Sequence, residues 1–195
     1  SNAPKSTQNT SSGLTKELRC TNVVTVFNYL SDKDRYSEFY KKHLSKRLLL
    51  QRSDSVDLEK FMIGKLKLKC GAQFTSKIEG MLSDMKTAQE NNKGFSLYMR
   101  RKVHNKKNEE GVETSSSSAI DFSAQTLTSG YWPSYKTQEI QLPLQMKSCL
   151  KDFNEYYQSS AQSNGKRKLK WIHQLGVVII AGNFNNRRID LTCST

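Results

Sequence analysis

Residues Asp32–Met85 read DKDRYSEFYKKHLSKRLLLQRSDSVDLEKFMIGKLKLKCGAQFTSKIEGMLSDM. Three apolar patterns of helical period sit in this stretch, divided by two breaks. Tyr36, Phe39, Tyr40, Leu44 and Leu48 recur at helical spacing and predict a helix that ends near Leu50. Ser31 or Asp32 can cap it, and the lysines at 41, 42 and 46 then point largely away from its inner face. Ser53-Asp54-Ser55 is a polar break with cap residues. Leu58, Met62, Ile63 and Leu66 mark the next helix, Val56–Cys70, and Gly71 suits the left-handed residue that ends it. Ser76 and Glu79 have the spacing of a capping box, and Ile78, Met81, Leu82 and Met85 follow as one apolar stripe.

Working outward, Val23, Val26, Phe27 and Leu30 predict a preceding helix, Leu14–Leu30, with those residues as its buried stripe. Residues 4–13 are rich in Ser, Thr, Asn and Gln and are expected to be disordered. Ser1-Asn2-Ala3 reads as the scar of a cleaved purification tag, so 1–13 is set aside as a lead. Beyond Met85 a weaker helix is expected over 91–103, with Phe95, Tyr98 and Met99 on one side. The first domain is therefore a helical bundle over 14–103. Residues 104–119 hold almost nothing apolar and include Ser115–Ser118, which reads as a flexible linker.

The pattern changes at 120. Ile120, Phe122, Ala124 and Thr126 alternate with polar residues, the period of a strand over Ile120–Leu127. Another extended piece is expected at Gln138–Leu142. Pro143 suits the first turn of a helix carrying Met146, Leu150, Phe153 and Tyr157. Turns are expected at Ser163–Gly165 and Asn185-Asn186. Leu169, Trp171 and His173 alternate in a strand, Val177–Ala181 is a further one, and Ile189, Leu191 and Cys193 form the last. Residues 120–195 thus form a second domain. The fold class is α+β: a helical bundle followed by a small, mostly antiparallel sheet with a packed helix.

The 195 residues carry 31 Lys and Arg against 18 Asp and Glu, a net charge of +13. Such a field attracts nucleic acid or acidic protein segments. No stretch reaches the ~18 apolar residues of a membrane helix, so no membrane partner is expected. The four cysteines and three histidines are scattered with no zinc-ligand spacing, and are expected to be reduced thiols and packing or surface histidines. No phosphate-binding loop, dinucleotide fingerprint, nucleophile elbow or zinc-protease motif occurs. The expectation is no catalytic residue, no metal and no cofactor.

Five phrases in order resemble the cullin family. They are Lys33–Leu49; Glu59–Lys67 continuing into Cys70–Met85; Leu127-Thr128-Ser129-Gly130-Tyr131-Trp132-Pro133; Phe153-Asn154-Glu155-Tyr156-Tyr157; and Lys166–Trp171 with Leu175-Gly176. The phrase beginning Gly130-Tyr131-Trp132-Pro133 is most like the subtype that uses a damaged-DNA-binding-protein adaptor. Gln162–Lys166 and the serine-rich linker depart from the family pattern.

The resemblance implies a non-catalytic scaffold of a ubiquitin ligase, working in cytoplasm and nucleus. In the family, the second domain accepts a strand of a RING-box protein, and this places Ile120, Phe122, Ala124, Thr126, Leu127, Leu169, Trp171 and His173 on the partner surface. Trp132 and Trp171 are expected to be core anchors. A basic groove in the family meets the acidic tail of the ubiquitin-conjugating enzyme that the RING recruits, which implies that role for Lys41, Lys42, Lys46 and Arg47. Substrate adaptors bind an N-terminal region of the family that this stretch does not resemble, and the family's modifier-bearing winged-helix domain has no counterpart in it. The alternative from charge alone is a basic, winged-helix-like nucleic-acid module. Against it, no helix concentrates base-reading residues and no aromatic RNA-binding motif occurs.

Overall fold

The computed structural model describes residues 7–53, 55–110, 121–137, 140–160, 167–173, 177–184 and 187–194. Among these residues five helices, α1 (Thr7–Asn28), α2 (Lys33–Leu49), α3 (Val56–Cys70), α4 (Ala72–Glu110) and α5 (Leu144–Ser159), precede two strands, β1 (Val177–Phe184) and β2 (Arg187–Ser194). This is the expected α+β class. The chain divides into two compact units, 1–90 with 124–133, and 91–123 with 134–195. Ile120, Gln138, the turns at 163–165 and 185–186, and the linker positions 111–119 lie outside the described residues.

In the first unit the helix ends follow local chemistry. Asp32 caps α2 by accepting the Arg35 N–H at 2.9 Å, and Ser55 caps α3 by accepting that of Asp57 at 3.2 Å. At the end of α2 the Arg52 N–H reaches the Arg47 carbonyl at 2.8 Å and the Gln51 N–H reaches that of Leu48 at 3.3 Å. Gln51 takes φ 52° to make this closure, a Schellman motif without its usual glycine. Gly71 ends α3 with φ 82° and ψ 169°, a region essentially reserved for glycine, and its N–H bonds the Lys67 carbonyl at 2.8 Å.

Because Gly71 alone makes that turn, α4 starts at Ala72. Ser76 is then inside the helix, its hydroxyl donating to the Gln73 carbonyl, and the expected capping box does not form. Nor does the helix stop near Met85. No Gly or Pro interrupts Lys86–Lys93, so the two helices expected there are one, and it runs through 104–110 as well. At the other end, α1 begins at Thr7 rather than Leu14. Uncharged polar residues lower helix propensity only slightly, and composition alone misplaced the start.

The core of the first unit is formed by Val24, Phe27, Met62 and Leu66, with Cys20, Tyr36, Tyr40, Cys70 and Phe74 packed against it. Phe27 meets Tyr36 at 4.7 Å and Phe74 at 5.8 Å between ring centroids. Leu44, Ile63, Ile78 and Met81 are also buried. Each such side chain contributes roughly 1.5–3 kcal/mol by leaving water. The buried stripe of α1 is therefore Cys20, Val24 and Phe27. Val23, Val26 and Leu30, expected inside, are exposed, as is Phe39 of α2. Apolar residues stand on two adjoining sides of α1, and periodicity could not say which side faces α3.

In the second unit, α5 follows Pro143 as its N-cap and buries Phe153 and Tyr157, while Met146 stays exposed. Phe153 lies 5.1 Å from Phe95 on α4, and Tyr156 lies 5.7 Å from Phe95 and 5.5 Å from Tyr98. Gly94 leaves the space that the Tyr156 hydroxyl occupies, and a Cβ there would collide with it. Lys102 donates to Asp152 at 2.7 Å and Glu155 at 3.2 Å, which ties the two helices at their polar margin. Among the described residues the sheet is an antiparallel pair, with Val177 opposite Ser194 and Phe184 opposite Arg187. The expected strands at Ile120–Leu127 and Leu169–His173 are not laddered: 121–128 and 167–173 are neither helix nor strand, and the described part of Gln138–Leu142 is likewise irregular. Alternation of side chains was legible there, but a ladder also needs a neighbouring strand, which alternation does not supply.

Candidate functional site

Two constellations in the first unit hold the motif residues in place. The first centres on Glu59, which is 9% exposed. Arg47 reaches it through two parallel bonds, Nε to Oε1 at 2.8 Å and Nη2 to Oε2 at 3.0 Å. Ser53 donates to Oε1 at 3.2 Å and Tyr40 lies 3.4 Å from Oε2. The Glu59 bond holds the Arg47 guanidinium above its ordinary pKa, and burial pushes the Tyr40 phenol up, with the Glu59 charge adding to it. Both remain in one protonation state across the physiological range. This is a structural clasp between α2 and α3 rather than an acid–base pair.

The second joins α4 to the segment 128–132. Asp84 accepts the Thr128 N–H at 2.7 Å, the Thr128 hydroxyl at 2.9 Å and the Trp132 indole Nε1–H at 2.7 Å. Beside it, a Cβ on Gly80 would stand 2.5 Å from the Tyr131 ring, so Gly80 is the residue that lets this ring lie on the helix. Trp132 is buried, as expected for a core anchor. By sequence, Gly130-Tyr131-Trp132-Pro133 belongs to a cullin-like phrase in which Trp132 is expected to be a core anchor. No local signal connects that phrase to Gly80 and Asp84, residues so far from it along the chain.

The basic residues of α2 separate into two kinds. Arg47 is committed to Glu59. Lys41 pairs with Glu38 at 3.1 Å, and its side chain is only 12% exposed, so it does not point away from the helix's inner side as expected. Lys42 and Lys46 are exposed. Of the residues expected at the RING-box surface, the structure brings Phe122 and Trp171 together, at 6.4 Å, with Phe153 5.8 Å and 5.9 Å from them. Trp171 is half-buried, not fully enclosed. Leu169 and His173 are half-buried, and Lys168, Lys170 and Ile172 between and around them are exposed. Phe122 and Thr126 are half-buried and Ala124 buried, with Asp121, Ser123 and Gln125 exposed; Leu127 is half-buried. Ala124, Thr126 and Leu127 belong to the first unit. Among the described residues, no group of three His, Cys, Asp or Glu could hold a metal ion, and no helix is long and apolar enough to cross a membrane.

Comparison with known proteins decides the family. Residues 3–92 match the family model described as the cullin alpha solenoid domain, and residues 126–195 match that of the cullin alpha+beta domain. The chain belongs to the cullin family. The two constellations join residues of the cullin-like phrases to one another: Arg47 with Glu59, and Gly80 and Asp84 with Thr128, Tyr131 and Trp132. Cullin-2 of Arabidopsis thaliana is 37% identical over 179 residues, which is 92% of this chain and 22% of that cullin. Cullin-4 of Caenorhabditis elegans is 35% identical over 92% of this chain and 19% of its own length. Cullin-4A of Homo sapiens is 36% identical over 88% and 21%. The chain thus spans about a fifth of the length of the curated relatives it matches.

Proposed function

We propose that this chain is a non-catalytic scaffold segment of a cullin-based ubiquitin ligase. Its second unit accepts an extended segment of a RING-box protein, and the RING in turn positions the ubiquitin-conjugating enzyme. Family membership supports the scaffold reading. The observation that carries the strand insertion is the period-two exposure of 168–173 beside the Phe122–Trp171–Phe153 aromatic cluster. Alternate half-buried and exposed side chains mark extended backbone, whose edge is what strand addition uses. Phe122, Leu169, Trp171 and His173, with Ile120, are the residues of the second unit assigned to that surface; Ala124, Thr126 and Leu127, which the resemblance groups with them, belong to the first unit. Lys42 and Lys46 are the exposed cations offered to an acidic tail of the conjugating enzyme, with Lys41 and Arg47 positioning them. Substrate adaptors engage other parts of a full-length cullin, and the complex works in cytoplasm and nucleus. The winged-helix-like nucleic-acid alternative is not favoured by the family match.

Co-expression with a RING-box protein followed by size-exclusion chromatography tests this reading. One-to-one co-elution that survives moderate salt is the expected result, because main-chain bonds and apolar pockets are little screened. A folded chain that elutes alone, or a complex that dissolves as salt rises, would refute strand insertion.

A further inference from the structure

The outward side of α4 beyond residue 90 differs from an ordinary solvated helix face. At about 100° per residue, Asn91, Phe95, Tyr98 and Lys102 share one side. Phe95 is buried there, and Lys102 is held by Asp152 and Glu155. Lys93, Leu97, Arg100, Arg101 and His104 share the opposite side, and all five are exposed, Leu97 by 54%. From Asn91 to Asn108 the sequence has no Asp or Glu. Among the described residues, no carboxylate pairs with Lys93, Arg100 or Arg101. The acids of α5 are spent on the inward Lys102.

A face that only meets water usually mixes signs, since opposite charges three or four residues apart stabilise a helix and like charges repel. This face instead repeats one sign from Lys93 to Arg101, roughly 12 Å of helix, and sets a leucine among the cations. We propose that it docks an acidic protein segment, with Leu97 seated on an apolar side chain of the partner and Lys93, Arg100 and Arg101 meeting its carboxylates. An apolar contact rimmed by charge is the composition of a small protein interface. A nucleic-acid backbone fits this side less well: it offers no Phe, Tyr or Trp for stacking and no Asn or Gln to read bases, and a leucine adds nothing to phosphate contact. The inference stands independently of the RING-box reading, because it uses none of the residues assigned there.

The test uses the whole chain and a fluorescein-labelled helical peptide of glutamate and leucine, about 16 residues long, with a short DNA duplex as the second probe. Binding is followed by fluorescence anisotropy, and circular dichroism melts show that each variant is folded. R100E/R101E should weaken peptide binding about tenfold or more, as expected for losing two charge-assisted contacts. L97S should weaken it about threefold while leaving duplex binding unchanged. K69E/K77E, the same charge change on exposed lysines elsewhere, should cost less than about twofold. If K69E/K77E matches R100E/R101E, or if L97S has no effect on the peptide, the attraction is a diffuse field and the docking face is wrong. Tighter binding of the duplex than of the peptide, lost in R100E/R101E, would replace the acidic segment with nucleic acid.

Discussion

Asp84 and Trp132, 48 residues apart in sequence, are joined by a 2.7 Å bond from the indole Nε1 to a carboxylate oxygen that also accepts the Thr128 N–H. Three donors converge on this one side chain. A carboxylate suits them because it only accepts, whereas an amide turns one of its two positions into a donor. Asp84→Ala should therefore destabilise the chain by about 1.5–3 kcal/mol, since the indole N–H of the buried Trp132 loses its acceptor. Urea unfolding followed by tryptophan fluorescence reads the shift. A change below about 0.5 kcal/mol would mean that water replaces the carboxylate without cost.

Two glycines in neighbouring helices should respond oppositely to the same substitution. Gly80→Ala puts a methyl 2.5 Å from the Tyr131 ring, which must shift and take Trp132 with it. That should cost about 1–3 kcal/mol. Gly64 lies inside α3, and a methyl group added there would have no neighbour within 4 Å. Gly64→Ala should therefore stabilise by about 0.5–1 kcal/mol through helix propensity alone. Thermal unfolding of the two variants side by side checks both signs.

The helices were legible because their signals are local. Cap residues Asp32 and Ser55 and the terminator Gly71 each act within a few positions, and the apolar spacing of α2 and α3 marks most of their inner sides. The site was less legible because its contacts are not local. Nothing near Asp84 announces Trp132, and nothing near Arg47 announces that Glu59 takes it from the basic cluster. Alternation at Phe122 and Trp171 revealed which side chains turn inward, but not whether a strand lies alongside. At Val23, Val26 and Leu30 the pattern itself was ambiguous, since α1 carries apolar residues on more than one side.

Gln51 is a third test of backbone chemistry, and no sequence signal marks it. Its φ of 52° closes the Schellman motif after α2, a conformation in which a side chain crowds the backbone. Gln51→Gly keeps both closing bonds and removes that crowding. The expected outcome is stabilisation by about 0.5–1 kcal/mol. Destabilisation instead would show that the lost flexibility of the unfolded chain outweighs the strain at this position.

Arg47 and Glu59 should fail asymmetrically. Arg47→Met leaves the Glu59 carboxylate nearly enclosed with only Ser53 and the long Tyr40 contact, so it should cost about 2–4 kcal/mol. Arg47→Met combined with Glu59→Leu removes both charges and should recover much of that loss, since an apolar pair of similar volume needs no desolvation of ions. A double variant no more stable than Arg47→Met alone would show that the clasp contributes through its geometry rather than by neutralising Glu59.

Glu79 sets an acid limit on the first unit. Hydrogen bonds from the Thr75 hydroxyl at 2.7 Å and Lys67 at 3.0 Å hold its carboxyl below the ordinary value of 4.5. A depressed folded-state pKa adds stability that is complete above the unfolded value and is lost as pH falls through the folded one. The contribution should thus be constant at neutral pH and be lost progressively as pH falls from 4.5 through the lower folded-state value. Glu79→Gln should lower the melting temperature at pH 7 and converge with the parent chain on acidification. High salt should shrink the difference, because both partners of the Lys67 pair are more than a third exposed. Melting curves of the two chains that stay parallel down to acid pH would mean that the Thr75 and Lys67 bonds do not distinguish the charged carboxylate from a neutral amide.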